Sequence, residues 1–144
     1  MWDDNSPPTH VAVSDPGLGS DGQPLDVAAF TAGPPGTGLS ALDAADLMNL
    51  LVIPPNNDDG TLDVGIVAAA ATYCERRRAM LLLDSPPDWA TASDVEAAFV
   101  DGFDVRIGTR SPNAALFFPR VRQSNPLHDN RTDTFGAAGA VAGV

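Results

Sequence analysis

Between Ser40 and Val121, short apolar runs alternate with stretches whose apolar positions recur every three to four residues. The runs are Met48–Ile53, Met80–Asp84 and Ala114–Phe118, and each meets proline within two residues, at Pro54, Pro86 and Pro119. Near-continuous apolar runs of this length, stopped by proline, predict strands covered on both faces, as in a parallel sheet. Between the first two, the pattern predicts a helix from about Leu62 to Arg78. Val64, Val67, Ala68, Ala71 and Cys74 mark its apolar face at i, i+3, i+4, i+7 and i+10, and their small size permits close approach to a sheet. Ser40 is placed to cap a shorter helix carrying Leu42, Ala45 and Leu47. Ser93 and Glu96 have the spacing of a capping box, which predicts a helix from Asp94 to about Asp101. Asp104–Gly108 reads as a short extra strand.

Strands alternating with helices imply right-handed crossovers and one mainly parallel sheet flanked by helices, a three-layer α/β fold. Residues 1–38 have a different texture. Pro7-Pro8, Asp15-Pro16-Gly17, Asp21-Gly22 and Gly33-Pro34-Pro35-Gly36 make this a loop-rich N-terminal segment, with His10–Ser14 its strand candidate, ahead of an α/β core over residues 39–144. Three strands make a marginal sheet. Gly136–Val144 is small, apolar and lacks any capping or charged residue, so a severed helix or strand is expected there, within a larger protein.

The charge balance narrows the partners. Seventeen Asp and two Glu face eight Arg and no Lys, a formal net charge of −11. Clustered cations are the usual footprint of nucleic-acid binding, and the one dense cluster, Arg76-Arg77-Arg78, closes a predicted helix where cations favour the dipole. No direct nucleic-acid binding is expected. Cys74, the single cysteine, permits no internal disulfide and reads as a small core residue of a chain folded in a reducing compartment. With no charged-then-apolar leader and no apolar run of about 18 residues, neither a secretion signal nor membrane insertion is expected.

Several motifs imitate chemistry without completing it. Gly33–Ser40 (GPPGTGLS) fits the phosphate-binding pattern GxxxxGK[ST] except that Leu39 stands where the lysine belongs. That lysine supplies a point charge to the β- and γ-phosphates, and this chain has none to substitute. Met80–Asp84 could mimic the magnesium-binding strand of such a site, but Val27–Ala32 is a poor candidate for the strand required before the loop. Asn57, Asp58, Asp59, Gly60 and Asp63 suggest a calcium loop, yet the EF-hand spacing would put Pro55 and Ile66 at ligand positions. Turn and cap roles are expected there, and at Asp15 and Asp21-Gly22. Only His10 and His128 could serve a hydrolytic triad, and neither stands near a serine in a nucleophile-elbow context. Trp89 and Phe99 are expected to be core anchors. No catalytic, cofactor-binding or metal-binding residue is therefore assigned, no cofactor is expected, and the chain reads as a non-enzyme.

Taken as an ordered series, the apolar blocks resemble the phage tail sheath family. The matching segments are Gly38–Leu42 leading into Asn49–Pro55, Tyr73–Arg77 with Ala79–Asp84, and Asn113–Val121, with Asp21-Gly22 upstream and Gly139–Val144 at the end. The resemblance covers about residues 20–144; where the family has a proline-proline-serine before its final glycine block, Gly136-Ala137-Ala138 stands here. It implies the α/β, subtilisin-like core of a tail sheath subunit, without its C-terminal domain and arm. Such a subunit polymerises in helical rings around a tail tube and contracts to drive the tube through a target envelope. Implied partners are neighbouring sheath subunits, the tail tube protein, and the baseplate and tail terminator proteins. Implied settings are assembly in the bacterial or archaeal cytoplasm and incorporation into a virion tail or a phage-tail-like injection particle. Catalytic residues are not part of the resemblance, and the segment alone is not expected to build a contractile sheath. A degenerate P-loop-like nucleotide-binding domain is the first alternative, and a generic α/β binding module the second.

Overall fold

The structure, a computed structural model, describes residues 25–57 and 59–144. The fold is α/β. The three apolar runs form a parallel sheet in the order β1 (Leu50–Val52), β2 (Met80–Asp84) and β3 (Ala114–Phe117), with Leu51 opposite Leu81 and Leu82 opposite Ala115. β1 is shorter than the expected Met48–Ile53, because hydrogen bonding to β2 begins only at the carbonyl of Asn49. Helix α2 (Val64–Arg77) joins β1 to β2, and α3 (Ala92–Val100) followed by α4 (Phe103–Ile107) joins β2 to β3.

The order 1-2-3 decides where the helices lie. Both crossovers step across the sheet in the same direction, and right-handed connections that do so pack on the same face. Side chains alternate along a strand, and Leu51, Leu81, Leu83, Ala114 and Leu116 all join the cluster built with Val67, Ala71, Cys74, Trp89, Phe103 and Ile107. Leu82 and Asp84 therefore face the other way. There the sheet is covered by the five-residue helix α5 (Ala138–Ala142), which packs on β1 and β2 and buries Ala138 completely. The Asp84 carboxylate accepts from the Ala138 N–H at 2.7 Å, and Gly136 passes so close that a β-carbon there would collide with that carboxylate.

Local chemistry corrects several expectations. The helix assigned to Ser40 is a 3-10 helix, Gly38–Ala44, with Thr37 at its N-cap position. Ser40 lies inside it, its hydroxyl donating to the Thr37 carbonyl, and Leu47 falls beyond its end at 85% exposure. α2 starts at Val64 with Asp63 as its cap, accepting from the Gly65 N–H. Its buried arc is Ile66, Val67, Ala70, Ala71, Tyr73 and Cys74, while Val64 and Ala68 are exposed. In an alanine-rich helix the hydrophobic contrast is too weak to orient the face, and the large residues settle it. The capping box lies two residues earlier than expected: Asp94 accepts from the Thr91 N–H and hydroxyl, so Ala92 and not Asp94 opens the helix. Both pairs satisfy the spacing rule, and the chosen register puts Ala98 inside.

Asp104–Gly108 is helical, not extended. Gly102 and Gly108 bracket α4 in left-handed conformations, and Phe103 and Ile107, one turn apart, are both buried. Gly136–Val144 contains the short helix α5. Two elements were not anticipated: α1 (Val27–Thr31), capped by Asp26 and packed on α2, and an antiparallel hairpin of β4 (Val121–Asn125) and β5 (Arg131–Phe135). The hairpin sequence is polar on both faces and therefore lacks the period-two signal of a half-buried strand. The strand expected at His10–Ser14 lies outside the described residues.

Leu81, with no exposed surface at the centre of the sheet, tests the assignment of the core. Leu81→Ala is expected to lower the unfolding free energy by about 2–5 kcal/mol in urea melts. Leu47→Ala should change it by less than about 0.5 kcal/mol, as is typical of surface positions.

Candidate functional site

In parallel α/β sheets, ligands bind beyond the carboxyl ends of the strands, at the point where the strand order reverses. A cleft of about 380 Å³ does open at the carboxyl ends of β1 and β2, between Asn57 and residues 60–63 on one side and Ser85, Pro86 and Arg106 on the other. The order β1-β2-β3 of the described strands contains no reversal, so the cleft is not at a switch point between them. Its carboxylates are engaged in structure. Asp63 caps α2, Asp84 holds α5, and Asp88 is paired with Arg106, whose guanidinium also lies 6.0 Å from the Trp89 ring centre. Ser85 is buried and its hydroxyl has no partner among the described residues. The Ser85 carbonyl and that of Gly60 both face the Arg120 guanidinium, which ties the two loops together.

The phosphate-loop imitation has a different framework from its prototype. Helix α1, not a strand, precedes Gly33, and Leu39 is buried in the main core. Gly38 adopts φ +52° directly against the Phe30 carbonyl, where a β-carbon would collide. In the acidic loop, the Asp59 carboxylate accepts from the Thr61 N–H and hydroxyl, and these bonds hold it below the usual carboxylate range. The loop is thus closed on itself as a turn. Among the described residues, no group of three or more His, Cys, Asp or Glu side chains is placed to hold a metal ion. No described helix is long and apolar enough to cross a membrane.

The basic cluster divides between structure and surface. The Tyr73 hydroxyl donates to Asp43 at 2.8 Å, and Arg76 and Arg77 approach the same carboxylate at 3.3 and 3.4 Å. Arg77 also donates to the Ala45 carbonyl, and Arg76 stacks 5.0 Å from the centre of the Tyr73 ring. Two of the three arginines thus fasten the 3-10 helix to the end of α2, and Arg78 turns the chain out of the helix at φ +57°. Burial first, and the Asp43 carboxylate second, push the Tyr73 phenol above its ordinary value. Cys74 is buried and its thiol is likewise pushed up by desolvation, the condition of an inert core cysteine. Trp89 is a core residue as expected, but Phe99 is 54% exposed, stacked on Phe103 at 4.5 Å.

His128 stands at the tip of the β4–β5 hairpin. Its Nδ1 lies 2.8 Å from the Asp133 carboxylate, which also accepts from Asn125, and hydrogen bonds from Asn125 first and His128 second depress the Asp133 carboxyl. Ser124, the nearest serine along the strand, is on the opposite face of the ribbon, where its hydroxyl donates to the Asn130 carbonyl. The His-Asp pair fastens the tip and has no nucleophile. His10, Asp15 and Asp21-Gly22 lie outside the described residues.

The groups left free belong to surfaces. Among the described residues, β1 and β3 each have an outer edge with no strand paired to it, the hairpin is mostly exposed, and Phe99, Val100 and Val105 form an exposed apolar corner on α3 and α4. Sequence reasoning missed these because it looked for polar residues that converge. The signal available was the string Phe99-Val100 followed closely by Val105 among acidic neighbours. No protein-family model and no curated protein matches the chain.

The Asp43 hub is testable by titration. A raised tyrosine contributes stability below its ordinary value of about 10, and that contribution is lost as pH rises through the raised value. Asp43→Asn is expected to lower the Tyr73 midpoint, read from phenolate absorbance, while burial keeps it above the ordinary value. The same change should cost about 1 kcal/mol at neutral pH, the usual worth of one hydrogen bond at a half-exposed site. An unchanged midpoint would show that Asp43 does not hold the phenol.

Proposed function

We propose that this chain is a structural, non-catalytic subunit of a contractile tail sheath, polymerising around a tail tube and contracting to drive it through a target envelope. The observation that carries the proposal is the distribution of unsatisfied groups. The described residues leave open two sheet edges, one thinly covered sheet face and one exposed apolar corner, whereas the polar groups of the cleft are mostly used in holding the fold. Such a chain gains more from contact with other proteins than from a small substrate.

The blocks that resemble the sheath family fall on the framework of the fold. Asn49–Pro55 contains β1, Ala79–Asp84 contains β2, Asn113–Val121 contains β3, and Gly139–Val144 overlaps α5. Their agreement with the sheet supports reading them as one architecture and not as scattered likenesses. In this proposal the partners are neighbouring sheath subunits, the tail tube protein, and the baseplate and tail terminator proteins, in a virion tail or a related injection particle. Energy for contraction resides in subunit interfaces that repack, and no nucleotide is consumed.

The test is co-expression of the gene that encodes this chain with the small reading frame directly downstream, followed by electron microscopy. The expected result is a polymer of this protein surrounding a tube of its neighbour. Absence of co-assembly, together with saturable ATP binding by the purified chain at millimolar nucleotide, would replace the proposal with the degenerate P-loop alternative.

A further inference from the structure

Residues 122–134 do nothing that α5 needs. The Arg120 guanidinium fixes the chain to the body at the Gly60 and Ser85 carbonyls, and Gly136 and Ala138 fix it again at Asp84. Between these anchors Val121 pairs with Phe135, and paired residues on antiparallel strands stand about 5 Å apart. One or two residues would close that gap. The chain instead places the whole β4–β5 ribbon there, polar, mostly exposed and in no more than slight contact with the other elements. A two-stranded ribbon by itself is marginal in water, so this one is stored length and not support. Opened, residues 121–136 reach about 50 Å at roughly 3.3 Å per residue, against a radius of gyration of about 14 Å for a body of this size.

The element at the end of that length is lightly held. α5 has five residues, too few to be helical unless seated. Ala138 is its one buried residue, while Gly139, Ala140 and Val141 are exposed. The seat is specific all the same. The Asp84 carboxylate accepts from the Ala138 N–H at 2.7 Å, and the lack of a side chain at Gly136 lets the chain cross that carboxylate. The occupant that fits the seat is therefore known from the seat itself: it is α5, and every copy of the chain carries one.

We propose that α5 is exchanged between copies: the ribbon opens and carries the α5 of one copy onto the Asp84 seat of a second. Each exchange trades identical contacts, so its cost lies in opening the ribbon and in giving up the effective concentration of the home tether, which is of roughly millimolar order. Dilute protein keeps α5 at home, and copies crowded in a polymer exchange it. Reciprocal exchange closes a dimer, whereas donation onward from copy to copy makes an open chain. The inference deepens the sheath proposal by naming an element that joins subunits, and rests on it only for the identity of the larger assembly.

A disulfide trap reads the exchange. A Gly136→Cys chain cannot cross Asp84 at home, because a β-carbon there collides with the carboxylate, and an Asp84→Cys chain offers a seat with that carboxylate removed. Cys74 is buried and stays out of the reaction. Mixed at several hundred micromolar under oxidised glutathione, the two chains should join position 136 of one copy to position 84 of the other, at least tenfold more abundantly than either chain joins to itself. Replacing residues 123–133 of the Gly136→Cys chain by Asn-Gly keeps a two-residue hairpin but removes the reach, and should lower the mixed product at least tenfold. Hydrogen exchange of the wild-type chain gives a second reading that needs no substitution. The β4–β5 ladder and the Ala138 amide should exchange at least a hundredfold faster than the Leu81 amide, which donates to the Asn113 carbonyl within the sheet. A mixed product no more abundant than the self-dimers, a yield indifferent to ribbon length, or a ribbon as protected as Leu81 would each overturn the proposal. A tube-bound polymer built by the protein with the shortened ribbon alone would overturn exchange as the joint between subunits, and would leave the sheath reading intact.

Discussion

Three parallel strands laid down in one direction, joined by right-handed crossovers, leave the chain no freedom over where its helices go. α2, α3 and α4 must share a face, and that face becomes the core, with Val67, Ala71, Cys74, Trp89 and Phe103 packed on Leu81 and Leu83. Among the described residues, the other face is covered by what the chain brings back afterwards: it receives α5, five residues anchored by the Asp84–Ala138 bond, and no described strand pairs with the outer edges of β1 and β3. The asymmetry of the molecule follows from strand order before any individual contact is considered.

That asymmetry sorts the polar residues. Those near the core are consumed by structure: Asp43 by Tyr73 and two arginines, Asp63 and Asp94 as caps, Asp84 by α5, Arg120 by two loop carbonyls. The effect on titration is consistent. Carboxylates that accept backbone and hydroxyl hydrogen bonds, Asp59 and Asp94, and Asp133, which accepts from Asn125 and His128, are held below their ordinary range, so their stabilisation is present at neutral pH and lost as pH falls through those depressed values. What is left for contact with other molecules, among the described residues, is apolar surface, the unpaired Arg122 and Arg131, and exposed carboxylates such as Asp46, Glu96 and Asp101.

The sheet was legible in the sequence because a continuous apolar run stopped by proline is too short for a buried helix and too greasy for a loop; Leu81 and Leu83 lie where that pattern predicts. Boundaries were less legible. Thr91-Asp94 and Ser93-Glu96 obey the same capping rule, and only tertiary packing of Ala98 separates them. Asp104–Gly108 resembles a strand because Val105 and Ile107 alternate with polar residues, whereas burial selects Phe103 with Ile107, four residues apart, which is helical spacing. The hairpin escaped notice because strands exposed on both faces have no hydrophobic period, and its turn is a three-residue 3-10 helix without glycine. The exposed α3–α4 corner escaped for a related reason, since exposure is a property of the packed molecule and Phe99 looks like any core aromatic until α3 is oriented.

The close passage of Gly136 across Asp84 gives the molecule a definite load path. A pull on Val144 travels through α5 to the Asp84–Ala138 bond and so to β2, the middle strand, whose neighbours on either side share the strain. The covalent chain also leads from Ala138 back through Gly136 into β5, so the same pull reaches the hairpin, and the Asp84 carboxylate decides how much of it the sheet shares.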